Sequence, residues 1–286
     1  MNFKKDIIYS ENSFFGIPTY YDKKNDIYFC EPESKEFVGK FYEKKYWDNF
    51  GSKRNEEKLN FLSKISNLIM DLVNTPDIWN NKNYKILKEK NIINKKIKIL
   101  EIGSGEGRNL ITLKRKGYNI KGIEIDGENV NNINSILGEN IAIKGNYEEI
   151  NYDEKFDLIY LRHVLEHFFD INYVIGKLKN NLNKGGIIFV DVPFSDDKNT
   201  LDRSIYEHPH IYHFTNKSLQ NIFLENEFEQ IHLFHHQRKD FNFSNYKKIN
   251  SLITFIMRIF KLSPIEKKIN TNNKSPIDLI GIFKKL

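Results

Sequence analysis

The sequence predicts an α/β fold, a mostly parallel sheet flanked by helices, and three observations carry that expectation. The stretch Lys98 to Asn109 reads K-I-L-E-I-G-S-G-E-G-R-N. A short apolar run from Ile97 to Ile102 leads into three glycines, Gly103, Gly105 and Gly107, and then into a helical pattern that includes Leu110, Ile111 and Leu113. Strand, glycine turn and helix in this order open a nucleotide-binding α/β unit. From there to residue 192 short apolar runs alternate with helical patterns, as a parallel sheet requires. Glu124 closes the second strand about 20 residues beyond the glycine turn, where an acid can bind the hydroxyls of a ribose.

Each element follows from local chemistry. Ser13–Pro18 and Ile27–Cys30 flank a polar turn, Asp22–Asp26, and read as a small hairpin. An aromatic-rich segment runs from Ser34 to Phe50 and contains Tyr42, Tyr46 and Trp47. Glu56 to Val73 places Leu59, Leu62, Ile65, Leu68, Ile69 and Leu72 on one helical face, and Pro76 to Lys90 reads as a further helix. The first strand, Ile97–Ile102, feeds a helix over Glu106–Lys116 that Gly117 closes. The second strand, Asn119–Ile125, is followed by Asp126, a cap for a helix over Glu128–Leu137. Ile141–Ile143 is the third strand and Lys155–Leu161 the fourth. A helix over Ile171–Leu182 precedes Gly185-Gly186 and the fifth strand, Ile187–Val192, which Pro193 ends. Residues 194–215 read as a long polar insertion, and Thr215 can cap a helix over Asn216–Asn226. Phe228–His235 is the sixth strand and Asp278–Phe283 the seventh, antiparallel to the sixth; between them Asn250–Phe260 reads as an apolar helix.

The length of 286 residues fits one large domain with an elaborated cap. The expected division is an N-terminal cap, 1–92, and a core, 93–286, with insertions at 194–215 and 239–275. The net charge is +6. Lysines are dispersed, with no arginine-rich helix, zinc-finger spacing or basic tail, so the charge reads as solvated surface that favours an anionic small molecule, with no nucleic-acid partner expected. The single cysteine, Cys30, excludes an intrachain disulfide and a cysteine-cluster metal site. The N-terminus lacks the apolar core of a signal peptide, and no apolar run approaches the roughly 20 residues of a membrane span. A cytoplasmic location is the expectation.

The glycine spacing separates two classes. A dinucleotide fingerprint, G-x-G-x-x-G, needs glycine at position 108, where Arg108 stands. The motif present is E-x-G-x-G-x-G, beginning at Glu101, and here the chain resembles the class I S-adenosylmethionine (SAM) methyltransferases. The resemblance implies a Rossmann-like sheet with a reversed last strand, SAM as cofactor and S-adenosylhomocysteine as product. It implies that Glu101, Gly103, Ser104, Gly105 and Gly107 cradle the methionine side, with Glu101 near its ammonium. Glu124 and Ile125 would hold the ribose, Asn146 and Tyr147 would flank the adenine, Leu161 would end the adjoining strand, and Tyr42, Tyr46 and Trp47 are the candidates to cover the cofactor, if they do not simply pack the cap onto the core. Asn146 departs from the commoner acid, though an amide oxygen still accepts from an amine. Leu165-Glu166-His167 after the fourth strand and Gly-Gly-Ile…Val-Pro in the fifth resemble a branch of small-molecule methyltransferases that includes O-methyltransferases of quinone, bacterial glycan and antibiotic biosynthesis.

Histidines gather around the same sheet edge. His163, Glu166 and His167 follow the fourth strand, and His208, His210 and His213 come from the later insertion. Methyl transfer needs an aligned acceptor and removal of its proton. Three readings stay open. One histidine, His167 or His163 first and His210 next, serves as base with Glu166 orienting it. Alternatively the cluster holds a divalent metal, the lesser option, because the related E-x-x-E-H pattern has its first acid replaced by His163. In the third reading the histidines are structural, with His213 packing beside Phe214. The functional expectation is methyl transfer to an oxygen of a small, anionic metabolite, a sugar, nucleotide-linked or surface-glycan precursor, by a chain that leaves room for a homodimer. The alternatives are an N- or RNA-methyltransferase, a SAM-binding protein without transfer activity, and a dinucleotide-binding oxidoreductase.

Overall fold

The computed structural model describes residues 3–42, 82–237 and 277–286. Tyr46, Trp47, the helix expected over 56–73, the start of the one expected from 76 and the apolar helix expected over 250–260 lie outside the described residues. The chain begins with β1 (Ile7–Ser10), β2 (Thr19–Asp22), β3 (Ile27–Cys30) and a short helix α1 (Lys35–Lys40). After α2 (Lys82–Glu89) come β4 (Lys98–Ile102), α3 (Arg108–Arg115), β5 (Asn119–Glu124), α4 (Gly127–Leu137) and β6 (Ala142–Lys144). β7 (Phe156–Arg162) runs into a 3-10 turn over Leu165–His167, followed by α5 (Ile171–Asn180) and β8 (Leu182–Pro193). The chain then forms α6 (Lys198–Tyr206), β9 (Tyr212–His213), α7 (Asn216–Leu224), β10 (Phe228–Gln237) and β11 (Ile277–Lys285).

Seven strands form one sheet in the order β10-β11-β8-β7-β4-β5-β6. β4 to β8 pair in parallel, whereas β11 is antiparallel to both β8 and β10. Side chains that alternate at period two feed two apolar layers. Leu100, Ile102, Ile159, Leu161, Ile188 and Val190 face one. Ile99, Leu158, Tyr160 and Phe189 face the other. Each such fully buried side chain contributes about 1.5–3 kcal/mol relative to exposure. Strands buried on both faces explain why β4 and β7 read as continuous apolar runs.

Capping chemistry sets the helix starts. The carboxylates of Asp126 and Asp170 accept from the backbone N–H groups of Asn129 and Tyr173, at the starts of α4 and α5. Thr215 and Ser218 form a reciprocal capping box on α7. α3 begins at Arg108, later than expected, because the glycine turn continues through Gly107, which is left-handed at φ 77°. β8 starts at Leu182 rather than Ile187: Phe156 already pairs with Leu182, and Gly185, at φ 71°, absorbs the register shift that follows.

Two expectations near the N-terminus are corrected. The first hairpin strand lies at Thr19–Asp22, not over 13–18, because Ser13–Gly16 closes a turn in which Gly16 N–H donates to the Ser13 carbonyl at 2.9 Å. The 194–215 segment is not a plain polar insertion. It contains α6 and β9, and it buries Leu201, Ile205, Ile211 and Phe214. β9 pairs with β3, completing a four-stranded antiparallel sheet in the order β1-β2-β3-β9. Ile27, Phe29, Cys30 and Val38 join the same apolar layer as Leu100 and Ile102. Among the described residues no helix is long and apolar enough to cross a membrane.

Candidate active site

The carboxyl ends of β4, β5 and β7 surround a cavity of about 270 Å³. Chain order reverses around β4, so the loops after β4 and β7 diverge and leave a crevice, the usual place for a ligand in an open α/β sheet. Gly103 and Gly105 form part of its wall. Both are left-handed, at φ 70° and 54°, a conformation in which a side chain is costly. A Cβ on Gly103 would stand 2.3 Å from Val164 Cγ2, so the glycine turn packs directly against the turn after β7.

Glu124 organises the next part of the wall. Its Oε2 accepts from Gly105 N–H at 2.7 Å and its Oε1 from Asp126 N–H at 3.0 Å. The carboxylate therefore joins the glycine turn to the start of α4, and with Ile125 N–H also directed at it it keeps part of its four-lone-pair capacity for a ligand. Burial pushes its pKa up. Ile125 lies beside it on the wall. Gly145, Asn146 and Tyr147 form the far end. Asn146 Oδ1 accepts from Glu148 N–H at 3.0 Å, and the Tyr147 hydroxyl donates to Asn181 Oδ1 at 2.9 Å. Tyr147 thus presents its ring to the cavity while its polar end is held in the interior.

Glu101, Ser104, Gly107 and Leu161 are not on the cavity wall. Glu101 is buried in the sheet next to the glycine turn, where Asn109 Nδ2 donates to its Oε1 at 3.1 Å. Its Oε2 has no hydrogen-bond partner among the described residues. Desolvation raises the carboxyl to about 8. Gly107 permits close helix packing instead: a Cβ there would meet Ile133 Cγ1 at 2.3 Å. Leu161 and Ser104 are interior.

Four cavity residues come from α1 and the segment after it: Lys35, Val38, Gly39 and Tyr42. Ser34 starts this helix by accepting from Phe37 N–H at 3.1 Å. Arg162, Val164 and Phe168 complete the wall beside the L-E-H stretch. The sequence reading passed over these residues and over Lys35. For Arg162 the available signal was its place directly after the fourth strand; for Lys35 it was the cap at Ser34.

The histidines meet as expected, but they differ in access. His163 and His167 line the cavity, whereas Glu166, His210 and His213 lie buried behind them. His163 Nδ1 lies 3.5 Å from Glu166 Oε1, its Nε2 lies 3.7 Å from Asp278 Oδ1, and its φ is 50°. The His167 and His210 Nε2 atoms lie 3.9 and 4.0 Å from Glu166 Oε1. His167 Nδ1 sits 2.6 Å from the Tyr42 hydroxyl, which itself donates to the Pro209 carbonyl. The Ser204 hydroxyl bridges His210 Nδ1 at 2.7 Å and His213 Nδ1 at 2.8 Å. Desolvation lowers His167 to about 4 and His213 to about 3, and it drives His210 well below the ordinary imidazole value. These three rings are neutral at pH 7.

A glycine turn, a strand-end carboxylate with free lone pairs, and an apolar slot ending in Tyr147 define a nucleoside-binding α/β protein. Comparison with known proteins narrows the class. The "Methyltransferase domain" family matches residues 80–233. That is more than half of the chain, and the chain belongs to this family. It is a SAM-dependent methyltransferase, and SAM is its cofactor. The residues fit that molecule: Glu124 offers acceptor capacity for a ribose diol, and Glu101, two residues before the glycine turn, has a buried oxygen with no hydrogen-bond partner among the described residues. A SAM-dependent methyltransferase from Methanosarcina mazei is 15% identical, with 70% of this chain and 97% of that chain covered at a TM-score of 0.51. TehB from Haemophilus influenzae is 17% identical, with 77% and 67% covered at 0.51. The [4+2]-cyclase SpnF is 13% identical, with 77% and 93% covered at 0.52. At such identities these structures show a shared fold. A search of curated proteins finds no match.

Proposed function

We propose that this methyltransferase acts on a hydroxyl oxygen of a small, anionic metabolite, such as a sugar, nucleotide-linked or surface-glycan precursor. The observation that carries the reading is His163, an imidazole on the cavity wall set between the buried carboxylates Glu166 and Asp278. SAM, when bound, supplies an activated methyl group, so the protein's tasks are alignment and proton removal. His163 takes the acceptor proton, and the two carboxylates stabilise the imidazolium that forms. His167 is the weaker candidate for base, because its Nδ1 is engaged by Tyr42 and burial keeps its pKa near 4. His210 is shut off from the cavity. Glu124 holds the ribose, and Gly103 and Gly105 give the cofactor close access to the backbone. Glu101, buried behind the glycine turn, offers its charge toward the methionine ammonium from beneath the wall, while Asn146 and Tyr147 flank the adenine. Arg162 and Lys35, the cations on the wall, favour an acceptor that carries negative charge. A cytoplasmic setting is part of the same reading, consistent with a single, buried cysteine.

The test is transfer of a labelled SAM methyl group to a panel of sugar phosphates, nucleotide sugars and hydroxylated acids, with His163→Asn beside the wild type. Asparagine tolerates the left-handed backbone at this position. The expected outcome is an O-methylated anionic product, with kcat lowered about 10²–10⁴-fold in the variant and SAM affinity unchanged. Transfer only to nitrogen, RNA or protein refutes the reading, as does full activity in His163→Asn.

A further inference from the structure

We propose that Arg162 grips the carboxylate of the cofactor's methionine tail, so that Arg162 and Glu101 together recognise that tail as an amino-acid zwitterion. The inference rests on SAM as the cofactor and does not depend on the identity of the acceptor. It assigns the cofactor's one negative group, which Glu101 and Glu124, themselves acids, cannot hold.

Placement supplies the first argument. Arg162 is the last residue of β7, at the carboxyl end of the sheet, and lies on the wall that Gly103 and Gly105 also form. Glu101 of β4 pairs with Tyr160 of β7, and Arg162 pairs with Asp191 of β8. Tyr160 and Arg162 are two residues apart, so these side chains leave the sheet on one face. An acid and a cation therefore stand on neighbouring strands, the acid beneath the glycine turn and the cation open to the cavity. Each feels the other: desolvation raises Glu101 to about 8, while the Asn109 hydrogen bond and the Arg162 charge pull against it. An α-amino acid carries its ammonium and its carboxylate on one carbon, and such a pair of opposite charges is its complement.

The second argument is the state of the guanidinium. The Arg162 side chain is 41% exposed, and its ion pair among the described residues runs from Nε to Asp191 Oδ2 at 3.6 Å, beyond a hydrogen bond. That oxygen already accepts from Asn83 Nδ2 of α2 at 2.7 Å, and Asn83 also donates to the Tyr160 hydroxyl at 2.8 Å. The Asp191 carbonyl takes His163 N–H at 2.7 Å. Asp191 is thus fixed from two sides, and its charge steadies the Nε edge of Arg162, whose side chain makes no hydrogen bond among the described residues. A guanidinium carries five N–H donors in a planar fork that meets a carboxylate through two parallel bonds. The third argument is elimination. Lys35, the other lysine or arginine on the wall, pairs with Glu149 at 3.9 Å, and Asn146 Nδ2 donates to the same Glu149 oxygen at 3.4 Å, so this charge lies at the far end of the cavity. Without Arg162 the cofactor carboxylate would be left among Glu101, Glu124 and Asp191, like charges that repel it. With Arg162 given to the cofactor, an anionic acceptor is drawn by the sulfonium and by Lys35.

The experiment is calorimetric titration of the full-length protein with S-adenosylhomocysteine, with its decarboxylated counterpart S-adenosyl-3-thiopropylamine, and with methylthioadenosine, which lacks the amino-acid tail. In the wild type the decarboxylated ligand binds about 10- to 100-fold more weakly than S-adenosylhomocysteine, the loss expected for a charge-assisted pair. Arg162→Gln weakens S-adenosylhomocysteine by the same factor and leaves the other two ligands unchanged, because they have no carboxylate to lose. Arg162→Lys, which keeps the charge beside Asp191 without the fork, falls between. Thermal melts verify folding, and where Arg162→Gln fails to fold, Arg162→Lys with the same ligand series carries the test. Equal affinity of the wild type for S-adenosylhomocysteine and its decarboxylated counterpart overturns the proposal. So does unchanged S-adenosylhomocysteine affinity in Arg162→Gln, or a variant that weakens all three ligands alike, the mark of a residue that serves only to neutralise Asp191. Each of these results leaves S-adenosylhomocysteine bound to the wild type and the methyltransferase assignment standing. Failure of the wild type to bind S-adenosylhomocysteine at all would overturn the cofactor assignment and the proposal with it.

Discussion

Glu101 offers the sharpest test of how the cavity holds its cofactor. Its carboxyl is buried, and desolvation raises it to about 8. In the ligand-free protein at pH 7 about nine in ten such carboxyls are neutral. An ammonium group against the unpartnered Oε2 favours the ionised form and lowers that pKa. Binding of SAM then releases about 0.9 proton per site at pH 7 and only about 0.1 at pH 9. Calorimetry in phosphate and in Tris, whose ionisation enthalpies differ, reads this number directly. Stability moves with it. The folded pKa lies above the ordinary value of 4.5, so between pH 4.5 and 8 the free fold binds more protons than the unfolded chain. Stability therefore falls as pH rises through that window, by up to about 1.4 kcal/mol per unit. Because burial also raises Glu124 and Glu148, Glu101→Gln makes the slope shallower by its own share, raises the Tm of the free protein at pH 8 and weakens SAM binding. Identical enthalpies in the two buffers at pH 7, or an unchanged slope in Glu101→Gln, would refute the reasoning.

Three further outcomes follow from the same geometry. Glu124→Gln sets an amide NH2 against one of the two backbone N–H donors that the carboxylate now satisfies; a Kd for SAM weakened by about 10- to 100-fold, for a loss of about 1.5–3 kcal/mol, is the calorimetric expectation. Gly103→Ala combines a left-handed residue with a contact 2.3 Å from Val164, costing at least about 1–2 kcal/mol in denaturant melts, and adding Val164→Ala relieves the clash but not the backbone strain. Tyr42→Phe removes the hydroxyl that bridges His167 and Pro209, so limited proteolysis near α1 accelerates and SAM dissociates faster, for a loss of about 1 kcal/mol.

Much of the architecture was readable because its signals are local. Ile97–Ile102 followed by three glycines could form a strand and a tight turn regardless of what surrounds it, and the caps Asp126 and Thr215 act on N–H groups three residues away. The reversed final strand was legible as well, since β11 pairs with β10 along its whole length. Glu124 was placed on the ribose side by its distance from the turn alone, and the structure sets it on the cavity wall. The start of β8 was misjudged because its register depends on Phe156, a partner 26 residues away that no local pattern announces.

What sequence determined by itself was the order of elements, the glycine turn and the residue types available for chemistry, all consequences of short-range sterics and hydrogen bonding. Tertiary structure alone decided which of them line the cavity. It turned the expected polar insertion into α6 and the strand β9 that completes a second sheet with β3. It buried His210 and left His163 on the cavity wall, and it brought Tyr42 against His167 across 125 residues. The physical reason is that access and electrostatics are properties of the packed surroundings. The same imidazole stands beside open space at one position and is an enclosed neutral ring at another, and only the folded chain sets which.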